Sequence, residues 1–206
     1  MKLVCTSDLH GHWDNRDWPD GDVLIVAGDI TVYGGLKEIE KFNDRLADYP
    51  YRHKIICAGN HDWCFYDEDK RSRARLAITN GQYLEDEYVT VEGVKIWGSP
   101  WTPQFFSWAF MLPRHKMHTV WDKIPDDIDV LVTHGPPAGK GDWNGHEYVG
   151  CEALREAVLR VKPKYHVCGH IHGCPGVSNN EHTTFVNASR CNNAYNPVNA
   201  PIVVEI

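Results

Sequence analysis

Residues 165–173 read YHVCGHIHG. A short apolar run ends at a glycine, and two imidazoles, His170 and His172, follow one residue apart. Four other stretches repeat the arrangement. KLVCTS (2–7) runs into Asp8 and His10, DVLIVA (22–27) into Gly28-Asp29, KIICA (54–58) into Gly59-Asn60-His61-Asp62, and DVLVT (129–133) into His134-Gly135. Each run is continuously apolar rather than alternating, the pattern of a strand buried on both faces. Each ends, on its carboxyl side, in residue types that ligate metals.

Between these runs lie helical patterns. Leu36, Ile39, Phe42 and Leu46 recur at three- and four-residue steps and predict a one-faced helix over 35–48,. Leu154, Ala157, Val158 and Val161 predict another over 151–162, which Pro163 stops,. YVTVEGVKIWGS (88–99) has two alternating runs about Glu92-Gly93 and reads as a hairpin,. TTFVNAS (183–189) and PIVVEI (201–206) read as closing strands, the second at an edge because Pro201 lacks a donor,. The aromatic-rich segment 103–122 is expected to be partly helical. Alternating strands and helices followed by strands make the fold class α/β, expected as a single domain over 1–206.

A hydrophobic share of 42%, a charged share of 24% and 206 residues describe an ordinary globular chain,. A net charge of −7 argues against capture of long nucleic acid, which needs a basic face,. A small anionic substrate stays open, since bound cations invert the local field. The first ten residues are too short an apolar run for a signal peptide, and no stretch approaches a membrane span. Seven cysteines form no CxxC pair, and Cys5, Cys57 and Cys168 lie inside apolar runs. They are expected as reduced thiols in a cytoplasmic protein. Oligomeric state cannot be read from the chain.

In open α/β sheets ligands bind beyond the carboxyl ends of the strands. Five polar clusters placed there can converge, and the neighbouring glycines let backbone pass close to a crowded point. Carboxylate, amide oxygen and imidazole together suit divalent transition metals better than calcium or magnesium. So many ligands exceed what one ion uses comfortably; two ions about 3.5–4 Å apart would take them. A lone DxH or GHxH means little. Five such elements in order, with His10, His12, His61, His134, His170 and His172 in or beside them, are far more specific.

SDLHG, AGDIT, GNHDW, THGPP and GHIHG, in this order, resemble the five signature blocks of the calcineurin-like metallophosphoesterase superfamily. WGSPWTPQFFSWAF, VTHGPPAGKGD, GCEALREAVLRVKPKYHVCGHIH and TTFVNASRC resemble its small metallophosphodiesterases of the vertebrate brain 239-protein type. The resemblance implies a four-layer α-β-β-α sandwich with a dinuclear metal site at the strand ends. It implies that Asp8, His10 and His172 hold one metal, that Asn60, His134 and His170 hold the other, and that Asp29 bridges them. Manganese is the first expectation, with iron, zinc, nickel or cobalt possible.

The expected chemistry is attack on phosphorus by hydroxide supplied at the metals. The family places His61 near the leaving group as proton donor, with Asp62 either orienting it or capping the next turn. His12 and Trp13 are expected at a phosphate oxygen and a pocket wall. His146, in GDWNGHEYVG (141–150) with Asp142 and Asn144, is a candidate substrate contact. The aromatic stretch 101–110 offers a stacking face for a base. The implied substrates are small phosphodiesters, cyclic nucleotides and aryl diesters among them. The alternatives are a phosphomonoesterase, with Arg16, Arg114 or Arg190 as clamp, and a non-catalytic nucleotide-binding scaffold.

Overall fold

The computed structural model describes residues 1–13 and 18–206; Arg16 lies outside them. The strands, in chain order, are β1 (Lys2–Thr6), β2 (Val23–Ala27), β3 (His53–Cys57), β4 (Gln82–Tyr83), β5 (Glu87–Val91), β6 (Val94–Ser99), β7 (Thr102–Pro103), β8 (Met111–Leu112), β9 (Val130–Thr133), β10 (Tyr165–Cys168), β11 (Gly176–Asn179), β12 (Thr184–Asn187) and β13 (Ile202–Glu205). The helices are α1 (Leu36–Asp48), α2 (Trp63–Tyr66), α3 (Arg71–Ala77), α4 (His118–Trp121) and α5 (Glu152–Val161).

One sheet has the order β13-β1-β2-β3-β4, the other β11-β12-β10-β9-β6-β5, and β7 pairs with β8 apart from both. The central strands β1, β2 and β3 run parallel, as do β6, β9, β10 and β12, while β5, β11 and β13 are antiparallel edges. Alternation within each apolar strand builds the layers. Leu3, Cys5, Val23, Ile25 and Ala27 face Val130, Val132, Val167 and Val186 between the two sheets. Val4, Leu24, Val26 and Ile56 turn outward onto Ile39, Phe42 and Leu46 of α1, with Ala74 of α3. Trp97, Leu131 and Phe185 pack against Trp121 of α4 and Leu154, Val158 and Val161 of α5. The result is a four-layer α-β-β-α sandwich, and it explains why the central strands β1, β2, β9 and β10 carry no polar face.

Helix α1 begins where Glu38 folds back, its carboxylate accepting the Val32 and Gly35 N–H groups at 2.9 Å each,. Helix α5 begins on the Cys151 sulfur, which accepts from Leu154 N–H, and ends at Lys162, whose left-handed φ of 52° precedes Pro163,. The 88–99 hairpin forms with Glu92 and Gly93 both at positive φ, as a two-residue turn of its hand requires,. The 201–206 strand is an edge. Both closing strands form, as β12 and β13, and β12 is flanked on its outer side by an edge strand, β11, that the apolar runs do not announce. All four residues of β11 are exposed, so the strand has no buried pattern to read. The segment 103–122 is helical only at α4 and in a single 3₁₀ turn at Arg114–Lys116.

Candidate metal centre

The carboxyl ends of both parallel strand sets meet at one end of the sandwich. The loop after β1 runs beside the loop after β2: Asp8 N–H donates to Gly28 O at 2.9 Å, His10 to Asp29 O at 2.9 Å and Gly11 to Ile30 O at 3.0 Å. Across the sheets, His134 Nδ1 lies 2.9 Å from Ala27 O. At Gly28, a Cβ would collide with that imidazole, and at Gly169 with the side chains of Ser7 and Asp8. Gly28 also has φ +100°. Asp8, His10, Asp29 and His170 adopt left-handed backbone, with φ of 53°, 41°, 51° and 67°. Such φ values in non-glycine residues store strain and cluster at functional sites.

The side chains converge. Ligating atoms of Asp8, His10 and His172 lie within 4.8 Å of one another, as do those of Asp29, His134 and His170, and those of His10, Asp29 and His61. His10 Nε2 is 3.3 Å from His172 Nε2, and His172 Nε2 is 3.2 Å from Asp8 Oδ1. His134 Nε2 is 2.9 Å from Asn60 Oδ1 and 3.4 Å from Asp29 Oδ2. His134, His172 and His61 each turn Nδ1 to a backbone carbonyl, of Ala27, Asn192 and Val32, at 2.9, 3.1 and 2.9 Å. Those bonds commit each Nδ1 as a donor, so Nε2 is the nitrogen turned toward the site, to hold a proton or, once that is lost, an ion. Imidazole, carboxylate and amide atoms thus crowd together about 3 Å apart, bridged by the His134 proton in the chelated protein and able to close on a cation that displaces it. The nitrogen and oxygen donor set fits a pair of divalent ions.

The charges agree. Burial opposes the Asp8 carboxylate, but the hydrogen-bonded His172 outweighs it and holds Asp8 well below the usual carboxylate range. Burial and then His134 act likewise on Asp29, which also ends far below that range. Burial opposes a charged His134, yet Asp29 raises it to about 9. Burial lowers His10 to about 4 and His170 to about 3. Ser189 Oγ donates to Asp8 Oδ2 at 2.7 Å, and His61 N–H donates to Asp29 Oδ1 at 2.8 Å, which fixes both carboxylates.

Beside the cluster lies a cleft of about 990 Å³, whose walls include Asp29, Asn60, His61, Phe105, Phe106 and Trp108. Asn144, Glu147, Arg114, His170, His172 and Tyr195 also reach it. Trp108 stacks on His61 with centroids 4.5 Å apart, and the Tyr195 ring stands 4.7 Å from that of His10. Trp108 belongs to the aromatic stretch expected to offer a stacking face, though its partner is an imidazole of the chain itself; Tyr195 carries no signal in the sequence, since it sits alone in a polar segment and meets His10 only through the fold.

Four expectations change. Trp13 is not a cleft wall: its indole packs against Phe42 in the α1 layer and donates to Ile30 O at 2.9 Å. Asp62 neither reaches the cleft nor bonds the His61 ring, nor does its side chain cap α2. It is fully buried and accepts from Gly59 N, Ile30 N, Thr31 N and Thr31 Oγ1, stapling the loop after β3 to the loop after β2. His146 is exposed and outside the cleft walls; its neighbours Asn144 and Glu147 line it instead. His12 is exposed, with Nε2 3.2 Å from Tyr195 O rather than on the cleft wall. Of the stacking face, Phe105, Phe106 and Trp108 reach the cleft, while Phe110 is core.

At one end of a two-sheet sandwich, then, carboxylates, imidazoles and an amide gather beside an open cleft as candidate metal ligands. Residues 1–174 match the family description "Calcineurin-like phosphoesterase", and the chain belongs to that family. It is 42% identical to Metallophosphoesterase domain-containing protein 1 of Homo sapiens over all of this chain and 71% of the relative. It is 38% identical to the UPF0046 protein K07C11.7 of Caenorhabditis elegans, over all of this chain and 75% of that one. The fold is shared with the crystal structure of TT1561 of Thermus thermophilus at a TM-score of 0.62 and 11% identity, covering 90% of this chain and 88% of that one.

Proposed function

We propose that this chain hydrolyses small phosphodiesters, cyclic nucleotides and aryl diesters among them, using two divalent cations, manganese first. The observation that carries the reading is the convergence of carboxylate and imidazole ligand atoms about Asp29 beside an open cleft. Asp8, His10 and His172 would hold one ion, Asn60, His134 and His170 the other, and Asp29 both. When bound, such a pair supplies hydroxide near neutral pH and neutralises phosphoryl charge.

The chain's own residues do the rest. His61 lines the cleft, and with Nδ1 committed to Val32 O its Nε2 is the nitrogen that can protonate a departing oxygen,. Phe105, Phe106 and Tyr195 give a flat substituent a surface to lie on,. Three features favour a singly charged diester over a dianionic monoester. Arg114 reaches the cleft, but its guanidinium is bonded to Val149 O, Gly150 O and the Glu152 carboxylate. Glu147 adds a negative group to the cleft. Arg190 is buried and bonded to Asn199 O.

A single domain over 1–206 and a reducing, cytoplasmic setting complete the reading. Seven cysteines without a disulfide support the latter,. No helix among the described residues is long and apolar enough to cross a membrane.

The test is turnover of bis(4-nitrophenyl) phosphate, 4-nitrophenyl phosphate and 2′,3′-cyclic AMP by manganese-loaded protein. Diesters are expected to turn over faster than the monoester, and a chelator to abolish both rates. A faster monoester, or diester cleavage undiminished by chelation, would overturn the reading.

A further inference from the structure

We propose that Trp108 is a positioning residue for His61, fixing the plane of its imidazole so that Nε2 meets the departing ester oxygen; this rests on the hydrolase reading above. The bond from His61 Nδ1 to Val32 O, 2.9 Å, together with the side chain's own Cβ–Cγ bond, holds one edge of the ring and leaves the Nε2 side to tilt out of plane. The Trp108 indole removes that freedom, stacking on the imidazole at 4.5 Å between centroids and 22° between planes. His10 closes the arrangement edge-on at 4.6 Å and 78°. One hydrogen bond and one ring face together determine where Nε2 points.

The loop that carries Trp108 is built to hold this register. Its base is closed by β7 and β8, with Thr102 N–H donating to Phe110 O at 2.9 Å and Gln104 N–H to Leu112 O at 2.8 Å. Its inner side is tied to the turn after β3, because Ala109 N–H donates to Asn60 O at 3.3 Å. Ala109 follows Trp108 and Asn60 precedes His61, so the stacked pair sits next to a backbone bond between the two loops. Trp108 belongs to none of the three apolar clusters that stabilise the sandwich. An indole placed at the cleft instead of in the core is spent on the imidazole.

Proton donation matters only when the leaving group is a poor one, so the role has a signature that loss of fold does not share. The experiment compares methyl phenyl phosphate, which leaves as a basic phenolate, with methyl 4-nitrophenyl phosphate, which leaves unaided. With metal-loaded enzyme, His61→Ala is expected to lose about a hundredfold in kcat on the phenyl ester and far less on the nitrophenyl ester. Trp108→Ala is expected to follow the same pattern with about a tenfold loss on the phenyl ester and KM little changed. Trp108→Phe, which keeps a ring face, is expected to recover most of it. The double variant is expected to be no slower than His61→Ala alone.

Equal losses on both esters in Trp108→Ala and Trp108→Phe, or losses that add to those of His61→Ala, would overturn the Trp108 role and leave the hydrolase reading standing. A wild-type enzyme that cleaves neither ester would overturn both.

Discussion

Asp8, His10, Asp29 and His170 combine two unusual properties, left-handed backbone and a ligating side chain. Each such conformation costs about 1–3 kcal/mol, which the surrounding hydrogen bonds must offset. Ser189 is one of these supports, bonded to Asp8 at 2.7 Å. Ser189→Ala is expected to weaken manganese binding by about 10–100-fold, read by competition with a chelator. His134 carries a second prediction. In chelated protein, against the cost of burial, Asp29 raises its pKa from an ordinary 6.5 to about 9. A raised pKa contributes stability that is full below 6.5 and lost as pH rises through about 9,. Thermal scans of chelated protein are therefore expected to show its melting point falling between those limits. Metal must displace that proton, so titrating manganese into chelator-free apoprotein near pH 7.5 is expected to release protons, measured in a weakly buffered indicator solution.

At the scale of elements, the site depends on how loops are pinned to strand ends. Asp62 is the clearest case: one buried carboxylate accepts four bonds from two loops. Burial, and then the charge of Asp29, raise its pKa to about 6. Asp62→Asn turns an amide N–H₂ toward two backbone donors and is expected to destabilise the fold by about 3 kcal/mol, measured by urea unfolding. The same loops deliver Asp29 and Asn60, so its turnover is expected to fall as well, without the leaving-group dependence of His61. The sequence placed Asp62 correctly at the end of a buried strand. It could not say which way the carboxylate turned, because that is set by backbone groups some 30 residues away.

For the whole molecule, two buried carboxylates and a ring of imidazoles at the junction of two sheets make metal part of the fold's stability. At a metal concentration about a hundred times Kd, binding contributes about 2.7 kcal/mol, and for a chain of this size that is roughly 5–10 °C of melting temperature. Adding a chelator to the loaded protein is expected to lower Tm by that much, and restoring manganese to reverse it. The sequence by itself determined the parallel strands, since continuous apolar runs have no polar face to leave in water. It determined helices α1 and α5 by their periodicity, and it brought the ligand-type residues to the strand ends by their order. Only the tertiary structure decided that Trp13 is core, that His146 stays out of the cleft, and that Trp108 and Tyr195 stand against the imidazoles. The physical reason is range. Periodicity and strand ends are written in neighbouring residues, whereas a ring's partner is chosen by packing between segments far apart in the chain; His10 and Tyr195 meet only because β1 and the loop before β13 end at the same place.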